Sequence, residues 1–193
     1  MNRFEEFVKK FKEWCKREVR GKPEVQLFGD AGIAECVISE GVATSIVPYV
    51  HSFADIIDEY KDVIQRKHID VHLVSLGEFR KGDYVEHASL RYDPIGDVYD
   101  VDVEMYSCKA VGELENVDHP TEWGSVYGME YQGFGDVVWD GLFWVGRGVV
   151  SVRDIKDIKE LDYDDLEKLI KLLAYKAVEL SSRAIKSMIK KED

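Results

Sequence analysis

Along the first twenty residues the apolar positions Phe4, Phe7, Val8, Phe11, Trp14 and Cys15 recur at steps of three and four, with Lys and Glu between them. That spacing puts one apolar stripe on a helix, which Gly21 and Pro23 then end. Three β-like runs follow at 24–29, 33–39 and 42–49, separated by Gly29-Asp30-Ala31-Gly32 and Ser39-Glu40-Gly41, so a three-stranded meander is expected. A second helix is predicted with Ser52 as its cap, Asp55 three residues on, and Phe53, Ile56, Ile57, Tyr60, Val63 and Ile64 on one face.

From His68 the period drops to two. Ile69, Val71 and Leu73 alternate with His68, Asp70 and His72, as in a half-buried strand. Runs at 84–92 and 97–110 flank the turn signal Asp93-Pro94-Ile95-Gly96 and should pair as a hairpin. The polar stretch 112–122 reads as a loop, and two or three Gly-punctuated strands follow between Trp123 and Val152. Leu161 to Lys190 is one helical pattern whose stripe runs Leu166, Leu169, Ile170, Leu173, Ala177, Leu180, Ala184, Ile185, Met188. The expected fold is a single α+β domain over residues 1–193: an antiparallel sheet with an N-terminal helix, a middle helix and a long C-terminal helix packed on it.

Composition narrows the function classes. No apolar stretch is long enough to span a membrane, and acids stand where a signal peptide needs an apolar run, so a cytoplasmic protein is expected. Cys15, Cys36 and Cys108 are odd in number and form no C-x-x-C pair, which argues against a disulfide framework and for small buried thiols. Only five residues are Asn or Gln while charged residues make up 33%, a balance that hot-living organisms favour, so a thermophile source is expected. A net charge of −12 argues against a nucleic-acid partner, because phosphate is held by clustered Lys and Arg. The acidic middle of the chain instead suits a cation, a metal-bound ligand or a basic protein surface.

The sharpest candidate chemistry lies in Asp97-Val-Tyr-Asp100-Val-Asp102-Val-Glu104. In a strand, Asp100, Asp102 and Glu104 share one face, and their mutual repulsion needs compensation. A divalent metal such as Mg²⁺ or Mn²⁺ would supply it, and so would a basic residue opposite, for example Arg91. The hydrophobic–Asp–hydrophobic–Asp pattern resembles the metal motif of archaeo-eukaryotic primases, and Gly146-Arg147-Gly148-Val149-Val150 resembles their second motif. Val145 and Val150 stand where that family has Ser and His, which removes the residue expected to touch the nucleotide.

His68-x-Asp70-x-His72 could offer metal ligands with His87 or Glu86 as a third, but His68 and His72 lie about 13 Å apart in a strand. One ion could not join both without a bulge. The segment Asp118-His119-Pro120-Thr121-Glu122-Trp123 and the Gly–aromatic stretch that includes Trp139 and Trp144 could form a ligand shelf, with His119, Trp123 and Trp144 as its ligand-binding residues. Packing of those rings in a core or a subunit interface competes with that role.

Two function classes remain. One is a non-catalytic binding or assembly module, an acidic homodimer with a protein partner. Its opening order of helix, three strands and helix looks like that of the small dimeric secretion-chaperone type of fold. The other is a metal-dependent hydrolase or nucleotidyl-transfer enzyme centred on Asp100, Asp102 and Glu104. The homodimer follows from the apolar stripe of the last helix, which outruns a sheet whose strands extend about 20–30 Å.

Overall fold

The structure, a computed structural model, describes residues 1–39, 41–79, 84–107, 122–126, 129–134, 143–152 and 159–189. Helix α1 (Arg3–Trp14) starts at a reciprocal cap between Asn2 and Glu5, passes into a π-helical turn (Cys15–Val19), and stops where Arg20 adopts a left-handed φ of 58°. Strands β1 (Lys22–Phe28) and β2 (Ala31–Ile38) form an antiparallel hairpin. A 3-10 segment (Ala43–Tyr49) leads into α2 (Val50–Arg66), and β3 (Ile69–Phe79), β4 (Tyr84–Asp93) and β5 (Val98–Ser107) follow. The remaining elements are β6 (Glu122–Val126), β7 (Met129–Phe134), β8 (Phe143–Val152) and α3 (Tyr163–Ile189). The strands make one sheet in the order β1-β2-β3-β4-β5-β8-β7-β6.

Two expectations change here. The run 42–49 is not a third strand: Ala43, Ile46, Val47, Val50, Phe53, Ala54 and Ile57 are all buried and spaced by three and four, so the helical stripe of α2 begins seven residues before α2 does. Pro48, which lacks an N–H, sits within this first stretch. Ser52 is accordingly not the cap. Its hydroxyl donates to the Tyr49 carbonyl at 3.1 Å and accepts from Trp14 Nε1 at 3.1 Å, tying α1 to α2. Secondly, with the third strand gone, the path β2–α2–β3 is a helical crossover, and β2 pairs with β3 in parallel. The sheet is therefore mixed, although every other neighbouring pair is antiparallel. The likeness to the secretion-chaperone element order loses its third strand at the same point.

All three helices lie against one face. On that face β2 presents Ala34 and Cys36, β3 Ile69, Val71 and Leu73, β4 Ala88, Leu90 and Tyr92, and β5 Tyr99, Val101 and Val103, all buried. Cys36 carries a disulfide to Cys15 at the end of α1, which overturns the expectation of free thiols there. The odd count misled because Cys15 and Cys36 join each other across the hairpin; Cys108 lies outside the described residues. Tyr92 accepts from Gln65 of α2 at 3.0 Å and donates to Asp97 at 2.8 Å, and burial together with Asp97 pushes its hydroxyl above the usual phenol range. Gly148 of β8 marks the seat of α3: a Cβ there would stand 2.9 Å from the Leu173 carbonyl oxygen. Leu166, Leu169, Ile170, Leu173 and Ala174 fill that seat. No helix among the described residues is long and apolar enough to cross a membrane.

Candidate functional site

Because side chains alternate along strands, the opposite face of the same sheet collects most of the residues that the sequence singled out. The register aligns them in cross-strand rows. One row runs Glu35, His72, Arg91, Asp100, Ser151; the next Val37, Val74, Ser89, Asp102, Val149, Gln132, Trp123; the third Leu76, His87, Glu104, Arg147, Phe134. The described helices lie on the other face, yet the middle row here is covered, with Val74, Ser89 and Asp102 buried.

Arg91 stands at the centre of the first row. Its guanidinium bonds Asp70 Oδ1 at 2.9 Å on one side and Asp100 Oδ2 at 3.4 Å on the other, while the Ser151 hydroxyl donates to Asp100 Oδ1 at 2.6 Å. The repulsion expected along β5 is thus met at Asp100 by a basic residue directly opposite. In the third row, His87 Nδ1 lies 3.7 Å from Glu104 Oε2. Between them Asp102 is 9% exposed beside the equally covered Ser89, and both Asp102 and Glu104 have further interactions. Among the described residues, no group of three or more His, Cys, Asp and Glu side chains gathers closely enough to hold a metal ion.

His72 is half-buried between Asp70 and Arg91 in this net. Burial lowers its affinity for a proton, Arg91 and His87 push the same way, and Asp70 opposes them. The outcome is an imidazole that stays neutral to lower pH than an exposed one. His68 does not join it. With φ at 50°, His68 belongs to the turn before β3, so only Asp70 and His72 of that trio share the face.

Of the expected shelf residues, Trp123 holds a position on β6 in the same row as Asp102, three strands away, and Trp144 pairs with Tyr106 just past a β-bulge at Met105/Tyr106. They are thus placed in different rows. His119 and Trp139 lie outside the described residues, as do most of the loop 112–122 and the segment 135–142.

Sequence reasoning offered Glu86 as a third metal ligand beside Asp70 and His72, but the structure places Glu86 on the other, helix-covered face with 1% exposure. One of its oxygens accepts the Ala43 N–H and the other is buried without a hydrogen-bond partner. The signal was present: Glu86 is in phase with Ala88, Leu90 and Tyr92, an acid at the head of an apolar series.

The class thus defined is an α+β domain with one mixed sheet, helices on one face and a charged, partly apolar opposite face. No protein-family model, curated protein or solved structure matches the chain.

Proposed function

We propose that the chain is a non-catalytic binding and assembly module, an acidic homodimer in which the protein partner on the helix-free sheet face is a second copy of the chain. The observation that carries this reading is the mutual pairing of the ionisable groups on that face. Asp70, Arg91, Asp100 and Ser151 form one closed chain, so the charged groups among them already hold one another. Around them stand apolar side chains in water: Phe28 at 63%, Ile33 at 44% and Leu76 at 43% exposure. Apolar groups rimmed by charges are the surface composition of a recognition face rather than of a solvated one.

The test replaces Ile33 and Leu76 together by Ser and measures the molar mass of both proteins by light scattering at micromolar concentration. A dimeric parent and a monomeric variant support the reading. A parent that is monomeric at these concentrations overturns the homodimer. The metal-dependent alternative is examined in the same samples by melting with EDTA and then with Mg²⁺ or Mn²⁺. A midpoint raised by metal, and no longer raised in Asp102→Asn, would replace the binding module with the enzyme.

A further inference from the structure

Between β2 and α2 the chain crosses the helix-covered side of the sheet, and three contacts fasten it there. The Ser75 hydroxyl donates to the Val42 carbonyl at 3.1 Å, Ser45 Oγ lies 2.7 Å from Ser75 Oγ, and the Ala43 N–H donates to Glu86. The crossing is so close that a Cβ on Gly77, the residue paired with Glu86, would stand 1.4 Å from the Gly41 carbonyl oxygen. Helix α3 packs over this same segment.

We propose that Glu86 is a proton-dependent latch: as the neutral acid it fastens the Ala43–Tyr49 crossing to the sheet, and as the carboxylate it loosens that crossing. Two features of the geometry carry this. The side chain is shut away from water, and one of its oxygens has no partner, so an ionised Glu86 would hold a buried charge stabilised by a single amide. Nor do its described surroundings offer a counter-charge. Its paired neighbours are Gly77 of β3 and Met105 of β5, with Ser75 beside Gly77, and in the Ala43–Tyr49 stretch over it Tyr49 is the sole titratable group. His87 and Arg91 of its own strand stand on the opposite face, and the buried positions of α3 are apolar. Burial therefore raises the affinity of Glu86 for its proton, with the Ala43 amide opposing more weakly.

The sign of the effect follows. The folded chain keeps this proton to higher pH than the unfolded chain, so stability is full in acid. It declines as pH rises from the ordinary carboxyl range to the folded value. Glu86→Gln preserves the shape and removes the charge. Melting midpoints of parent and variant, measured from pH 4 to pH 9, should agree at the acid end. They should then diverge in favour of the variant, by up to about tenfold in the folding constant per pH unit inside the window. A gap that does not change with pH overturns the latch. Should the variant not fold, carboxyl carbon NMR of the parent decides: Glu86 titrating above the ordinary carboxyl range supports the latch, and titration within that range overturns it.

Discussion

His72 is half-buried and Glu86 buried, and burial acts on them in opposite senses, since the neutral form is the basic one in His and the acidic one in Glu. For His72 the folded chain resists protonation, so stability is present above the ordinary imidazole range and is lost as pH falls through it. Replacing His72 by Gln should flatten this acid-side loss. Melting the parent and the variant at pH 8 and pH 5 checks it, and an equal drop in the two would show that His72 titrates freely. At this scale the sequence was informative about pairs and silent about depth. Alternation put Asp100 and Arg91 on one face, and the hairpin turn at Asp93–Gly96 set them opposite each other. Phase placed Glu86 with Ala88, Leu90 and Tyr92 on the core face, but nothing in a linear pattern tells how far under its neighbours a side chain sits.

Among the elements, the strands were legible wherever the period was two and a turn fixed the register, as in β4 and β5. The run 42–49 was misread because β-branched Val and Ile suit strands, and that propensity hid a stripe of period 3.6 continuing into α2. That one error carried the topology with it, since a meander forbids the parallel pair that a crossover creates. Packing between elements was not legible at all. The glycines of β8 were noted as punctuation, whereas Gly148 lets α3 approach the sheet at Leu173. A methyl group at this position must displace the helix backbone, so Gly148→Ala should cost about 1–3 kcal/mol in a denaturant titration. An unchanged midpoint would mean that α3 does not rest on β8 at Leu173.

For the molecule as a whole, the Cys15–Cys36 disulfide joins the end of α1 to β2 over a sequence separation of 21 residues. Closing a loop of that length stabilises a fold by about 3 kcal/mol in the chain-entropy account. A protein with both cysteines changed to Ser should lose that amount, as measured by denaturant unfolding of the two proteins under oxidising conditions. A much smaller loss would show that the thiols are not joined in solution. The spacing could not announce the bond, because the two cysteines meet only after the hairpin has folded back along the helix. Such bonds persist in oxidising compartments and in the intracellular proteins of hyperthermophiles, so the charge-rich composition and the cross-link are compatible.

The same bond also sets how the molecule answers a mechanical pull. A force applied through the two chain ends runs along α1 to residue 15, crosses the bond and leaves along the chain from residue 36, bypassing β1 entirely. The hairpin strand hangs as a side ring that carries no tension. An oxidised molecule stretched to full extension should fall short of a reduced one by roughly 70 Å, at about 3.4 Å for each residue held in the ring. Past α1 and the bond, the next structure to bear the load is the β2–β3 pair at its Cys36–Ile38 end. Because these strands are parallel, pulling β2 from its C-terminal end while α1 holds it at Cys36 loads the ladder unevenly, and its bonds give way in sequence rather than together.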